Sequence, residues 1–323
     1  MLESAISAGL CSVGADVMLL GEIPTPAVAY LVKKYEYDAA VMISASHNPC
    51  EYNGIKIFQG NGFKLPDSLE EEIESIILDK TQVPPIKVGG DVGRIIRSKT
   101  ARTDYSNYLR SVAADDLAEY GIENLEGLKI AVDCSNGASS VIAPKVFMSL
   151  GCEAYFIASH PNGTNINEKC GSTHLELLQD FVVRNKCDAG LAFDGDADRV
   201  MFVDENSRFI SPDLMIAVLG HYFLEERGEK GYIHQDIRSS KAVGEYLAPM
   251  GGVMNTWRVG RAYAALKLRE IDGVYGGELA GHYYFRDFFY SDSGLLAAIL
   301  ILNVVAKMKA QGVSLSQLIA RIE

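Results

Sequence analysis

The segment 128–157 reads LKIAVDCSNGASSVIAPKVFMSLGCEAYFI, and it decides the fold class. Its runs KIAVD and EAYFI are short and largely apolar, which suits strands covered on both faces. A turn rich in Ser, Asn and Gly and then a helical pattern lie between them. Residues 188–203 follow as a pair of strands. Strand, helix and strand in succession predict α/β layers with largely parallel pairing.

The same alternation extends through most of the chain. It predicts strands at residues 16–20, 39–44, 129–133, 153–157, 190–193 and 232–235. We expect three successive α/β domains with mixed, largely parallel sheets. Their expected bounds are 1–102, 103–208 and 209–323.

Helical periods separate the expected strands. One helix is expected over 69–78, where Ser68 and Glu71 match a capping box and a row of apolar residues forms one face. Another is expected over 214–226. The apolar stretch Leu295–Ala306 is shorter than the ~20 residues of a membrane span, so it predicts a buried helix.

Charge and cysteine usage narrow the class of protein. The chain has 323 residues and a formal net charge of -12, which argues against nucleic-acid binding because that requires clustered Lys and Arg. A small anionic substrate remains compatible with this charge. The six cysteines show no CxxC spacing, and there is no signal-peptide pattern. Reduced thiols in a cytoplasmic protein are therefore expected, with no membrane partner.

The first chemical motif is SASHNP, residues 44–49, directly after the predicted strand AAVMI. The carboxyl end of a strand is where α/β proteins usually place ligands. Ser46, followed by His47 and Asn48, could be an exposed nucleophile in this turn. The alternative is a polar turn without a chemical role.

The second motif is DGDADR, residues 194–199, again directly after a strand. Three carboxylates at alternate positions repel one another unless a cation lies among them. Oxygen ligands of this kind suit Mg²⁺, which also keeps substrate phosphate oxygens in its shell. A calcium EF-hand is excluded because Arg199 stands where that loop requires Gly. A solvated acidic turn is the alternative, and an aspartate-nucleophile phosphatase would leave Ser46 unexplained.

The third motif is GGELAGH, residues 276–282. Small residues allow close approach of a ligand to the backbone. Glu278 could accept hydrogen bonds from two sugar hydroxyls, with His282 beside it. A structural Gly-rich turn is the alternative.

Taken together and in this order, the three motifs resemble the α-D-phosphohexomutase superfamily. IPTPAVAYL, NGIKI, VDCSNGA and PNGTNIN also look like sequence of that superfamily. The resemblance implies an isomerase that moves a phosphoryl group between O1 and O6 of a hexose phosphate. The reaction would pass through phospho-Ser46 and a hexose 1,6-bisphosphate, which would also serve as activator.

The resemblance also implies roles for single residues. Mg²⁺ would be held by phospho-Ser46 together with Asp194, Asp196 and Asp198. Ser46, His47, Lys56 and Arg199 would form the catalytic group. Substrate would be bound by the residues Glu278, His282, Arg258, Arg261 and Asn48. The motif GGELAGH would be the sugar loop, and in it Ala280 replaces the serine usual in the family.

The resemblance leads to further expectations about activity, substrate and oligomeric state. The family's opening segment and its fourth, phosphate-binding domain are not in this sequence, so we expect a chain that binds metal but catalyses poorly. The sugar loop favours mannose or glucose phosphate, whereas the first hundred residues look more like phosphoglucosamine mutase, the alternative. A sugar-phosphate-binding fragment without activity is a second alternative, and a monomer or homodimer is expected.

Overall fold

The first region of the computed structural model contains two separate pairs of strands. The structure describes residues 1–79, 82–119 and 125–323, with backbone only for 113–119. Strand β1 (Val17–Leu19) pairs in parallel with β4 (Ile95–Arg97), and β2 (Ala39–Ile43) pairs antiparallel with β3 (Ile55–Gln59). Its helices are α1 (Leu2–Ser12), α2 (Thr25–Lys34) and α3 (Asp67–Leu78).

The second region is built on a five-stranded mixed sheet. Its strands are β5 (Lys129–Asp133), β6 (Glu153–Ile157), β7 (Ala189–Phe193), β8 (Val200–Asp204) and β9 (Phe209–Ile210). The order is β6-β5-β7-β8-β9, with the first two pairings parallel and the last two antiparallel. Its helices are α4 (Ala101–Glu119), α5 (Ala143–Ser149) and α6 (Glu176–Asn185). The predicted domain boundary at residue 208 falls just before β9.

The third region repeats this topology. Its strands are β10 (Gly231–Asp236), β11 (Gly252–Trp257), β12 (Tyr275–Gly277), β13 (Tyr283–Phe285) and β14 (Ser291–Asp292), in the order β11-β10-β12-β13-β14. Again two parallel pairings precede two antiparallel ones. Its helices are α7 (Pro212–Gly220), α8 (Lys241–Leu247), α9 (Arg261–Glu270), α10 (Gly294–Ala310) and α11 (Leu315–Ile319). The predicted class, three α/β units with mixed sheets, is confirmed.

Helix α10 forms the middle of the core. Its residues from Gly294 to Val305 are all buried, as the apolar stretch predicted. It packs against α4, α7 and α11, so residues of the second and third regions share one apolar cluster. The described helices include none that is both long and apolar enough to span a bilayer. The cytoplasmic location stays a prediction.

Two helix predictions need correction. No side chain caps α3, which begins at Asp67 after Pro66, so the capping box is wrong. The apolar face of this helix is largely exposed, and Ile77 retains 69% of its accessible surface. The second predicted helix ends as an α-helix at Gly220, and residues His221–Glu226 continue it as a π-helical turn.

Candidate active site

Each of the three motifs forms a loop between two antiparallel strands. SASHNP lies between β2 and β3, DGDADR between β7 and β8, and ELAGH between β12 and β13. Backbone hydrogen bonds join the loops: Gly195 N donates to Ser46 O at 3.2 Å, and Val200 N donates to Gly281 O at 3.1 Å. A Cβ at position 195 would lie 2.5 Å from Ser46 O, so only glycine allows this approach.

Ser46 is held in an unusual backbone conformation. Its φ of 57° lies in the left-handed region, which a non-glycine residue seldom adopts and which often marks a functional site. The side-chain Oγ donates to Asp194 Oδ2 at 2.7 Å. The Arg199 guanidinium donates to the same Oγ and also contacts His47 Nδ1. The hydroxyl therefore lies between a carboxylate and a cation.

A residue outside the motifs supports this loop. Asn167 follows β6 in the second region, and its Nδ2 donates to Ser46 O at 3.0 Å and to Asn48 O at 2.9 Å. One amide group thus binds two carbonyls of the loop that carries Ser46. This contact compensates for the left-handed backbone at Ser46.

The three carboxylates of DGDADR are buried and close together. Asp194, Asp196 and Asp198 are at most 1% exposed, and their oxygens lie within 4.8 Å of one another. Lys56 Nζ lies 2.5 Å from Asp196 Oδ2 and 2.9 Å from Asp198 Oδ2. Thr25 Oγ1 also donates to Asp196 Oδ2. The cluster is thus partly neutralised by one lysine and by Arg199.

The close packing of these charged groups shifts their pKa values. Burial, and then the charges of Asp198 and Asp196, raise the pKa of Asp194 to about 7. Burial alone would lower the pKa of Lys56, but Asp198 and Asp196 raise it above its usual range. The pKa of Asp198 is lowered by Lys56, His282 and Arg261 although burial opposes the shift. Both members of the Lys56–Asp198 pair are therefore charged.

The same cluster fits a divalent metal ion. Asp196 Oδ1 and Asp198 Oδ1 are buried, and neither has a hydrogen-bond partner among the described residues. Leaving such atoms unpaired is costly, and a cation would remove the cost. Several carboxylate oxygens in one place are the ligands that Mg²⁺ prefers.

The ELAGH loop approaches the DGDADR loop through its last residue, His282. His282 Nδ1 lies 2.7 Å from Asp292 Oδ2 and 3.9 Å from Asp198 Oδ1. Arg261, at the start of α9, lies between the same two carboxylates. Glu278 is 2% exposed, and its Oε1 and Oε2 accept from Gly260 N at 2.7 Å and from Tyr284 Oη at 2.8 Å.

The structure therefore brings most of the predicted site residues together. Those gathered at the junction of the loops are Ser46, His47, Lys56, Asp194, Asp196, Asp198, Arg199, Arg261 and His282. Glu278 lies at the base of its loop. Arg258 is exposed, and its Cζ stacks on Tyr263, 3.4 Å from the ring centroid. Asn48 contributes its backbone carbonyl.

Sequence reasoning missed three residues of the site. Thr25 lies in IPTPAVAYL, a segment that already looked like family sequence, and this was the available signal. Asn167 lies in PNGTNIN, another such segment. Asp292 follows its partner His282 by ten positions, in the family-like stretch GELAGHYYFRDFFYSDSG, but nothing in that stretch indicated that the two side chains meet. Only the folded chain shows the last contact.

Comparison with known families finds matches along nearly the whole chain. Family models described as phosphoglucomutase/phosphomannomutase alpha/beta/alpha domains I, II and III match residues 1–84, 106–207 and 211–323. The phosphoglucosamine mutase of Acetivibrio thermocellus is 44% identical over 321 residues, which cover 98% of this chain and 69% of that protein.

Solved structures agree with this. A phosphoglucomutase/phosphomannomutase family protein of Burkholderia thailandensis superposes with a TM-score of 0.82 at 25% identity, covering 99% of this chain and 67% of that one. Aspergillus fumigatus N-acetylphosphoglucosamine mutase, in complex with GlcNAc-6P and magnesium, has the same fold: its TM-score is 0.61 at 14% identity, over 96% of this chain and 77% of that one.

The three domains and the loops at their junction define a phosphohexomutase. The chain belongs to the phosphoglucomutase/phosphomannomutase family, within the α-D-phosphohexomutase superfamily, and is an isomerase.

Proposed function

We propose that the chain interconverts glucosamine 1-phosphate and glucosamine 6-phosphate. The observation that carries the mutase chemistry is the placement of Ser46 Oγ against Asp194 and Arg199, beside two carboxylate oxygens to which no described residue donates a hydrogen bond. The relative from A. thermocellus supports the sugar, since identity of 44% spans nearly the whole chain. The sugar loop alone favoured mannose or glucose phosphate, and we prefer the alternative because a five-residue loop weighs less than the whole chain.

Ser46 is the proposed carrier of the phosphoryl group. In the first half of the cycle the bond between Ser46 Oγ and phosphorus breaks as a bond from the sugar hydroxyl oxygen to phosphorus forms, and the hydroxyl proton passes to the released Ser46 Oγ. The product is a hexosamine 1,6-bisphosphate. After this molecule turns in the cleft, its other phosphoryl group returns to Ser46 Oγ and the Ser46 proton passes to the released sugar oxygen, so the phosphoryl and proton counts are unchanged.

The cationic side chains stabilise charge during these transfers. Arg199 lies within hydrogen-bond reach of Ser46 Oγ, so its guanidinium can hold the oxygens of the transferring group. The raised pKa of Lys56 keeps the ammonium protonated, which suits charge stabilisation rather than action as a base. Asn167 and Asp194 hold the loop and the hydroxyl in place.

Mg²⁺ would be held by Asp194, Asp196 and Asp198 with an oxygen of phospho-Ser46. When bound, it neutralises the phosphoserine and spreads the charge that develops on the phosphoryl oxygens. The protein supplies the buried carboxylates and excludes water from them.

Recognition of the sugar falls to the third domain. Each Glu278 oxygen already accepts one hydrogen bond, from Gly260 N or from Tyr284 Oη, and retains a lone pair for a sugar hydroxyl. His282, the last residue of the ELAGH loop, and Arg261, at the start of α9, lie 3.9 and 4.0 Å from the Asp198 carboxylate. Such a surface can recognise the sugar in both orientations, which the cycle demands.

The test is a comparison of substrates. The chain would be incubated with Mg²⁺, a hexose 1,6-bisphosphate and either glucosamine 6-phosphate, mannose 6-phosphate or glucose 6-phosphate. We expect conversion to the 1-phosphate to be fastest with glucosamine 6-phosphate and absent in Ser46→Ala. Faster conversion of mannose 6-phosphate would overturn the proposed sugar. Release of inorganic phosphate would indicate a phosphatase, and binding without transfer to Ser46 would indicate a sugar-phosphate-binding protein.

A further inference from the structure

Asp292 is a buried carboxylate that binds two residues of the sugar side of the site. It is the last residue of β14 and has no exposed surface. Its Oδ2 lies 2.7 Å from His282 Nδ1, and its Oδ1 accepts from Arg261 Nε at 2.6 Å. One side chain thus joins two elements, the end of the ELAGH loop and the first turn of α9.

The sheet register explains why these groups meet. Tyr284 on β13 pairs with Asp292 on β14, so the two side chains share one face of the sheet. His282 precedes Tyr284 by two positions and lies on the same face, where the two rings stack with centroids 6.2 Å apart. The antiparallel pairing of β13 with β14 therefore fixes the distance between the imidazole and the carboxylate.

The chemistry of the carboxylate limits what its partners can do. An ionised carboxylate only accepts hydrogen bonds, so the hydrogen of His282 must be on Nδ1. In the neutral ring Nε2 is then the acceptor. Arg261 lies between Asp292 and Asp198, with 17% of its side chain exposed and its Nη1 4.0 Å from Asp198 Oδ2. A guanidinium in that position needs a fixed carboxylate to accept hydrogen bonds from its N–H groups and so set its orientation.

We propose that Asp292 is a positioning residue of the active site. It fixes His282 as the tautomer with hydrogen on Nδ1 and leaves Nε2 for a sugar hydroxyl. It also aligns Arg261 beside Asp198 of the DGDADR loop. The inference rests on the proposed function, which places His282 and Arg261 against the substrate.

Two measurements on the whole chain test this. The ¹⁵N shifts of the His282 ring report which nitrogen carries hydrogen, with His282→Gln used to assign them. Calorimetry with glucosamine 6-phosphate in the presence of Mg²⁺ reports binding. Both are made on the wild type, on Asp292→Asn, and on Asp287→Asn as the control. Asp287 is a half-exposed partner of Arg227 in the same segment, and its replacement keeps the charge change equal.

We expect the wild-type ring to carry hydrogen on Nδ1, whether it is neutral or charged. Asp292→Asn should shift hydrogen towards Nε2 and weaken glucosamine 6-phosphate binding roughly tenfold, the loss of about one charge-assisted hydrogen bond. Asp287→Asn should change neither.

A wild-type ring with hydrogen on Nε2 alone would overturn the inference, and this result does not depend on how any variant folds. An unchanged ring and unchanged affinity in Asp292→Asn would also overturn it. A wild-type chain that binds no hexosamine phosphate would contradict the proposed function, while the ring shifts would still decide the role of Asp292.

Discussion

The second and third domains use one topology for two kinds of chemistry. Each sheet has two parallel pairings followed by two antiparallel ones, and each site loop connects the two strands of the first antiparallel pair. In the second domain that loop is DGDADR and carries three buried carboxylates. In the third it is ELAGH, with one carboxylate and one imidazole. The scaffold places a loop at the junction, and the residues of the loop determine whether it suits a metal ion or a sugar.

A second pair of equivalent residues shows how the surroundings differ. Asp133 ends β5 and Asp236 ends β10, the central parallel strand of each sheet. Each accepts a hydrogen bond from the backbone N two residues later. Burial raises the pKa of Asp133 to about 6. The pKa of Asp236 is lowered because Arg238 outweighs the effect of burial.

The largest expected effect is on Mg²⁺ affinity, which should differ between variants of the DGDADR loop and the ELAGH loop. Asp196→Asn should weaken Mg²⁺ binding by at least about 100-fold, the upper end of what losing an outer-shell partner costs, since Asp196 is proposed as a direct ligand. Glu278→Gln should leave Mg²⁺ affinity unchanged. Calorimetric titration with Mg²⁺ measures both. Equal losses in the two variants would contradict the division of roles between the loops.

The next largest effect is expected on binding of the sugar phosphate instead of Mg²⁺. Glu278→Gln should weaken glucosamine 6-phosphate binding roughly tenfold, because a neutral amide accepts hydrogen bonds less strongly than a carboxylate. Glu270→Gln is the matched control, since Glu270 is an exposed residue of α9 paired with Lys267. Titration with the sugar phosphate measures the change. A loss in the control as large as in Glu278→Gln would mean that the site does not recognise the sugar through this loop.

A smaller effect concerns the support of the Ser46 loop. Asn167→Asp removes the Nδ2 donor and sets a carboxylate against two carbonyls, so the rate of phosphoryl transfer to Ser46 should fall several-fold, consistent with about 1 kcal/mol. Asn162→Asp is the control, because the bonds of the Asn162 side chain to other described residues are accepted by its Oδ1, from Thr164 N, Thr164 Oγ1 and Asn165 N. Time-resolved mass spectrometry follows the reaction. An unchanged rate in Asn167→Asp would show that the loop needs no such support.

The sequence was sufficient for the site loops because each motif is contiguous. Ser46 and the Asp194 group lie in short patterns directly after predicted strands, and His282 ends a third short pattern, GGELAGH. The contacts made by Asn167 and Asp292 were not predictable, since their partners come from other strands or domains. The face of α3 was misjudged because an amphipathic pattern predicts a helix but not what covers it.

The smallest expected effect is on the pH dependence of the free energy of unfolding. It compares the second and third domains directly, through Asp133 and Asp236. The folded pKa of Asp133 is raised from 3.8 to about 6, so its contribution to the free energy of unfolding falls as pH rises through that window. Asp133→Asn should lose this decline. For Asp236 the pKa is lowered, so its contribution is present above 3.8 and is lost only in more acidic solution.

Urea unfolding at pH values from about 4 to 8 measures both variants. We expect Asp133→Asn to gain stability relative to the wild type as pH rises to about 6, and Asp236→Asn to be destabilised evenly above pH 4. Parallel pH profiles for the two variants would contradict the proposed difference in their surroundings. Mg²⁺ affinity should stay unchanged in Asp133→Asn.

The central claim is that Ser46 carries the phosphoryl group. The direct measurement is the intact mass of the chain after incubation with Mg²⁺ and a hexose 1,6-bisphosphate, followed by peptide mapping. We predict a gain of about 80 Da located on Ser46 and absent in Ser46→Ala. A chain that binds Mg²⁺ and sugar phosphate but gains no mass, or gains it on another residue, would contradict the account.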